Sequence, residues 1–195
     1  MRIESITATR LRSMTGFTVI ELVITVAVLA ILVTIATPSF RELSVNNRTT
    51  AATNNLLADL ALARNEAVKT ARNAYVTSRG SDWSNGWIVW VDADGNGSRG
   101  GEEPVLRQQD PVDSDTMAAG NSFDLNALSG TTTGGAAIAE LAFGPLGQIR
   151  IPDDGARFSV CRPDGDVTKS AGIRVDISGR AQSVRDLRTF NIGCS

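Results

Sequence analysis

The segment Gly16-Phe17-Thr18-Val19-Ile20-Glu21-Leu22 begins an apolar run that extends to Pro38 and carries a single charge, that of Glu21. A membrane-spanning helix needs roughly 20 mostly apolar residues, so this run is long enough to cross a bilayer or to be buried on all sides in a helical assembly. A carboxylate near the end of such a span is costly unless it is paired or reaches the interface. Glu21 is therefore a candidate functional residue, and snorkelling of its side chain to the lipid headgroups is the alternative.

The arm before this run is polar and basic, with Arg2, Arg10 and Arg12. This charge bias predicts that the N-terminal arm stays in the cytoplasm and that the rest of the chain lies outside. A secretory signal peptide has an apolar stretch of about 7 to 15 residues and places its small cleavage-site residues after it. Here Gly16 precedes a longer stretch. We therefore expect processing to remove the polar arm and to leave the apolar segment in place.

Residues 16–22 resemble the processing site of type IV prepilins and type II secretion pseudopilins. The resemblance implies that prepilin peptidase cuts after Gly16, that Phe17 becomes an N-methylated N-terminus, and that Glu21 becomes the fifth mature residue. It also implies that Glu21 pairs with the N-terminal ammonium of a neighbouring subunit when apolar helices leave the membrane and pack into a filament. The Coulomb gain of a desolvated pair is largely offset by desolvation, so this pair would contribute mostly registry.

A second apolar pattern follows, with residues recurring at three- and four-residue spacing: Leu56, Leu57, Leu60, Ala63, Ala67, Val68 and Ala71. It predicts an amphipathic helix with one face packed on a domain. Residues 54–67 resemble this region in the GspH/FimT group, which includes FimU-like minor pilins. Pro38 cannot donate an amide hydrogen and should kink or loosen the helix, although the family tolerates a proline there within one long helix.

From about Ala74 the chain has the features of strands and turns. β-rich runs separated by turn residues occur at 74–78, 86–91, 104–107, 138–143, 157–162, 172–177 and 189–192. Residues 108–137 are rich in small polar residues and predict a long loop. The predicted fold is α+β and type IV pilin-like, a long N-terminal helix with a C-terminal antiparallel β-sheet head. Its segments are a cleaved leader (1–16), a transmembrane or filament-core helix (17–40), the amphipathic half of that helix (41–73) and a β-rich head (74–195).

The stretch 92–103 matches a calcium-binding loop pattern. Oxygen-bearing side chains occupy its first, third, fifth and twelfth positions, and a glycine occupies the sixth. The candidate ligands are Asp92, Asp94, Asn96 and Glu103. A strand precedes the stretch, and a hairpin turn rich in Asp, Asn and Gly would have the same sequence, so a plain turn is the favoured alternative. Apart from this calcium hypothesis, no cofactor is expected.

Cys161 and Cys194 are the chain's two cysteines, and both fall in the part predicted to lie outside the cytoplasm. An even count in an oxidising compartment favours a disulfide. It would close a loop of about 33 residues and contribute roughly 3 to 4 kcal/mol in the chain-entropy model. FimU-like relatives also carry a cysteine near the C-terminus.

Near the C-terminus, Arg180, Arg185 and Arg188 resemble the arginine-bearing end of FimT-like proteins, in which denser arginines bind DNA during natural transformation. Clustered guanidinium groups neutralise phosphates without reading sequence. This chain departs from that pattern, because Gln182 stands where a DNA-binding relative has another arginine and nearby aspartates dilute the charge. A solvated strand and turn with structural arginines is the favoured alternative.

The composition argues against an enzyme. The chain contains no histidine, which removes the commonest general base and metal ligand, and shows no glycine-framed nucleophile or metal-ligand cluster of a hydrolase. The resemblance instead implies a minor pilin or pseudopilin in the initiating tip complex of a type IV pilus or type II secretion pseudopilus, with a DNA-binding minor pilin as the alternative. The expected partners are prepilin peptidase, other pilins and the inner-membrane assembly platform. The expected location is the bacterial inner membrane, crossed once with the head in the periplasm, and then the filament tip.

Overall fold

The computed structural model describes residues 16–80, 83–111, 128–162 and 164–190, with the side chains at 36–39, 41, 128, 189 and 190 excepted. The predicted leader up to residue 15 and Cys194 therefore lie outside the described residues. The chain divides into two units, residues 1–41 and residues 42–195. The second, called here the globular unit, contains every strand found in the described residues.

A helix, α1, spans Val19–Thr70 and includes Pro38. Thr18 caps its start, because Thr18 Oγ1 accepts the backbone N–H of Glu21 over 3.3 Å. At its end, Ala71 has a left-handed φ of 54°, and the N–H of Arg72 donates to the carbonyl of Ala67 over 3.2 Å. This bond is the outer one of a Schellman motif, which stops the helix close to the predicted end.

Two antiparallel sheets follow α1. The first sheet has the order β3-β2-β1-β5-β6, formed by β1 (Ala74–Ser78), β2 (Trp87–Val91), β3 (Val105–Gln109), β5 (Glu140–Phe143) and β6 (Ile149–Ile151). The second sheet has the order β4-β7-β8-β9, formed by β4 (Leu128–Thr132), β7 (Ala156–Val160), β8 (Ala171–Val175) and β9 (Ala181–Arg185). Short 3-10 helices occupy Trp83–Asn85 and Leu187–Phe190.

One hydrophobic core joins the second half of α1 to both sheets. The helix contributes buried small and branched side chains at four- and three-residue spacing: Ala52, Leu56, Leu60, Ala63 and Ala67. They pack with aromatic and β-branched residues that include Val76, Trp87 and Phe143 of the first sheet and Phe158 and Ile173 of the second. The pattern therefore predicted Leu56, Leu60, Ala63 and Ala67 of the packed face correctly, whereas Val68 and Ala71 at its end are exposed. The pilin-like α+β fold is confirmed.

The strand predictions were partly right. β1 has the predicted bounds, and β2, β3, β5, β7 and β8 overlap predicted runs. Strands β6 and β9 were not predicted, and β4 lies inside the predicted long loop. The strand predicted at 189–192 is wrong for residues 189 and 190, the part of it that the structure describes, because Leu187–Phe190 is a 3-10 helix. That helix follows Asp186, whose φ of 71° turns the chain and buries Leu187.

Strand β4 escaped prediction because its central residue is a glycine. A Cβ at Gly130 would lie 2.8 Å from Trp83 Nε1 and 2.9 Å from Phe158 Cε1. Those two rings pack edge to face, with their centroids 4.9 Å apart. The glycine thus makes room for an aromatic contact within a strand, whereas glycine in sequence usually indicates a turn.

Candidate functional site

The predicted processing site lies at the start of α1. Gly16 and Phe17 precede the helix, and the Phe17 side chain is exposed. Glu21 lies in the first turn, where a negative charge interacts favourably with the helix dipole. Its side chain is exposed and forms no ion pair with any residue that the structure describes.

The residues after Glu21 form an apolar surface. Every side chain from Leu22 to Ile35 is exposed, and large aliphatic residues dominate this stretch. Within the described part of the chain, no helical segment is long and apolar enough to cross a membrane. The apolar run of the sequence ends at Pro38, and the structure does not describe the side chains of residues 36–39.

The three C-terminal arginines do not form one cluster. Arg180 and Arg185 are exposed at opposite ends of β9, about 16 Å apart at the rise of a strand, and they line different cavities. Arg188 is held by Asp186, with 2.5 Å between Arg188 Nη2 and Asp186 Oδ2. The hydrogen bond from Arg188 lowers the pKa of Asp186, and the negative charge of this carboxylate offsets the positive charge of Arg188. Within the described residues, the three arginines named from the sequence therefore do not form one patch.

Three of the four residues of the calcium hypothesis, all except Asn96, bring carboxylates together. Carboxylate oxygens of Asp92, Asp94 and Glu103 lie within 4.8 Å of one another, and Asp92 is buried. The loop's own amides already occupy them: Asp92 accepts the N–H groups of Gly95 (2.7 Å) and Gly97 (3.1 Å), and Glu103 accepts that of Gly100 (2.7 Å). These bonds close the loop as a turn. Carboxylate oxygens keep further lone pairs, so the geometry is compatible with a cation but does not require one.

A thermal melt separates the two hypotheses for this loop. Extracellular calcium modules bind calcium with dissociation constants of up to about 1 mM. We expect calcium at about 1 mM to leave the melting temperature of the protein unchanged, because the turn is complete without an ion. The measurement is a melt with and without calcium, repeated with the exposed carboxylate removed by Asp94→Asn. A stabilisation by calcium that disappears in this variant would establish the calcium site and contradict the plain turn.

Cys161 is buried and directly follows the end of β7. Cys194 lies outside the described residues, so the pairing of these two cysteines stays a prediction. Next to Cys161, the buried Arg162 donates to Asn46 of α1 and to Asp164 over 2.9 Å. The hydrogen bond from Arg162 lowers the pKa of Asp164. This region therefore fastens the strand end to the helix.

A protein-family model described as "Type II transport protein GspH" matches residues 52–179. The match runs from the packed half of α1 to the turn after β8, which is most of the globular unit. The chain belongs to the GspH family. Proteins of this pilin-like family are structural and non-enzymatic and assemble with other pilins, as the sequence predicted.

Solved structures agree with the GspH assignment at the level of the fold. The chain is similar to the type IV minor pilin FimU of Pseudomonas aeruginosa strain PAO1 in two crystal forms. In one form the TM-score is 0.54 at 22% identity, covering 72% of this chain and 90% of FimU. In the other it is 0.51 at 23% identity, covering 70% and 93%. A search of curated proteins finds no match.

Sequence reasoning missed a buried polar contact that organises this GspH-family fold. Asp59 is fully buried on α1, where its Oδ2 accepts Trp87 Nε1–H over 2.8 Å and its Oδ1 accepts Arg107 Nη1–H over 2.9 Å. The contact ties the helix to β2 and β3. In the sequence, Asp59 appeared to be one of the polar residues between apolar positions. Asp59 lies three residues after Leu56 and four before Ala63, and this spacing, which places it on the buried face, is the signal that could have identified it.

Proposed function

We propose that this GspH-family subunit is cut after Gly16, is N-methylated at Phe17, and joins the initiating tip complex of a type IV pilus or a type II secretion pseudopilus. The observation that carries the proposal is the exposed apolar surface after Glu21, which is too large to remain in water. The run from Leu22 to Phe40 would lie in the inner membrane before assembly and in the filament core afterwards.

Glu21 has a specific role in this proposal. Its exposed carboxylate would pair with the ammonium of Phe17 on a neighbouring subunit, because apolar helices offer it no other partner once they pack. A desolvated carboxylate without a partner is strongly unfavourable, so only the register that forms the pair is tolerated. The pair would therefore set the axial position of the subunit.

Replacing Glu21 with alanine tests the proposal. We expect leader removal and membrane insertion to continue, while incorporation into filaments falls about tenfold, since the partner's ammonium is left desolvated and unpaired. Immunoblots of the mature chain in sheared-filament and membrane fractions measure both steps. Glu42→Ala is the matched control, because Glu42 lies on the same helix and its ion pair with Lys169 is exposed.

Two different results would each contradict one part of the proposal. Wild-type incorporation of the Glu21→Ala chain would reject the pairing role. A wild-type chain that keeps its leader would reject processing after Gly16. The neighbouring genes, either minor pilin genes or a secretion operon, distinguish the pilus from the secretion system. DNA binding, the alternative function, receives no support from the separated arginines and is not proposed.

A further inference from the structure

Two tight turns of different sheets meet on one side of α1. The β5–β6 turn contains Gly147 and the β8–β9 turn contains Gly179, and a Cβ on Gly179 would lie 1.8 Å from the Gly147 carbonyl oxygen. Arg64 of α1 holds both turns, with Nε 2.9 Å from the Gly147 oxygen and Nη2 3.4 Å from the Ser178 oxygen. We call this place the seam. Its backbone is fixed by close packing and by an arginine that bonds to carbonyls.

Large apolar side chains project from the seam into solvent. Leu146 is 85% exposed at the tip of its turn, Ile177 is 63% exposed in the other turn, and Val68, one helical turn beyond Arg64, is 52% exposed. Val68 Cγ2 is 3.1 Å from the position of a Gly147 Cβ, which places Val68 against the turn that carries Leu146. Turns are normally polar, so aliphatic residues in two adjoining turns indicate a surface that is covered in the assembled state.

A cavity of about 190 Å³ borders Gly179 and Arg64. Leu57, Leu60 and Ala61 form its apolar part, and Arg64 and Arg180 stand beside it. Apolar walls with a few placed polar groups are the usual composition of a recognition pocket. A cavity of this size accommodates one or two side chains of a partner.

The charge of the seam defines the partner. Neither Arg64 nor Arg180 forms an ion pair with a carboxylate of the described residues. Arg64 donates to backbone carbonyls, and Arg180 donates to the Gln182 side-chain oxygen over 2.7 Å. These acceptors are uncharged, so they do not neutralise the two arginines. A symmetric contact would pair the seam of one copy with the seam of another, so that two positively charged patches meet, which is unfavourable. The complement is a different protein with a carboxylate beside an apolar residue.

We propose that the seam, formed by Val68, Leu146 and Ile177 with the Arg64–Arg180 cavity, docks a different pilin-family subunit that presents a carboxylate next to an exposed apolar side chain. This inference rests on the proposed function, since that function supplies the neighbouring subunit. The apolar residues provide the buried contact area, and the two arginines orient the partner.

Site-specific photo-crosslinking in filament-assembling cells tests the docking. The full-length chain carries p-benzoylphenylalanine in place of Leu146 or Ile177, and a control carries it in place of Val105, which is 43% exposed on the edge strand β3. We expect both seam positions to give an adduct that mass spectrometry identifies as another pilin-family subunit, and the control to give none. Arg180→Glu should reduce the adduct about tenfold, whereas the same change at the exposed Arg99 should not.

The other outcomes of the crosslinking experiment distinguish a failure of the docking proposal from a failure of the proposed function. An incorporated subunit whose seam positions crosslink to a second copy of this chain, to lipid or to nothing overturns the docking proposal and leaves the proposed function intact. Equal adducts at the seam and at position 105, or insensitivity to Arg180→Glu, also overturn it. A chain that is neither processed nor incorporated overturns the proposed function and the docking together.

Discussion

Replacing Asp59 with alanine is expected to lower the free energy of unfolding of the globular unit by about 3 kcal/mol. The change leaves the Nε1–H of the buried Trp87 without its acceptor, and a buried unsatisfied donor costs about 1 to 3 kcal/mol. It also opens a small void between α1 and β2 and removes the partner of Arg107. Arg107 contributes less, because its side chain is half exposed and water replaces the lost contact.

Asp59→Asn is the matched control for this experiment. The amide keeps the volume and an oxygen that can accept the Trp87 bond, so we expect a loss of only about 1 kcal/mol. Urea denaturation of the wild type and both variants measures the difference. Equal losses for alanine and asparagine would show that the charge, and not the tryptophan bond, stabilises the contact.

Gly179→Ala is expected to destabilise the globular unit by about 4 kcal/mol, combining backbone strain with overpacking. Gly179 has a φ of 78°, in the left-handed region that a Cβ disfavours. The added Cβ would also lie 1.8 Å from the Gly147 carbonyl oxygen, which is backbone and cannot move aside as a side chain would. The two turns of the seam must therefore separate.

Gly165→Ala isolates the clash from the strain. Gly165 has a similar φ of 69°, but no atom lies within 4 Å of its added Cβ. This variant should lose about 1 kcal/mol, the cost of the left-handed backbone alone. Denaturation of the two alanine variants in parallel gives the comparison, and equal losses would mean that the seam is not tightly packed.

The helix and the alternating strands could be predicted because their signals are local. The three- and four-residue spacing around Leu56 and Leu60 defines a buried face whatever lies opposite it, and β1 has the same bounds in sequence and structure. Strand β4 and the 3-10 helix at Leu187 could not be predicted in this way. Each depends on a tertiary contact: the aromatic pair over Gly130, and the bond from the Leu187 N–H to the Val167 carbonyl over 3.0 Å.

Predictions about sites followed the same division. The sequence places Asp92, Asp94 and Glu103 within one loop, and in the structure their carboxylates do lie close together. Arg180 and Arg185 are just as close in sequence, yet an extended strand separates them, so proximity in the chain did not produce a patch. The seam could not be foreseen at all, because it joins residues of α1 to turns more than 80 positions away.

The three tryptophans give the molecule a set of built-in optical reporters. Trp83, Trp87 and Trp90 are all buried, but each sits in a different environment. Trp83 contacts Phe158 of the second sheet, Trp87 binds a carboxylate on the helix, and Trp90 stacks on Tyr75 with ring centroids 4.4 Å apart. Chains that keep one tryptophan at a time would therefore report, by fluorescence, whether helix docking and the contact between the sheets are lost together or one after the other.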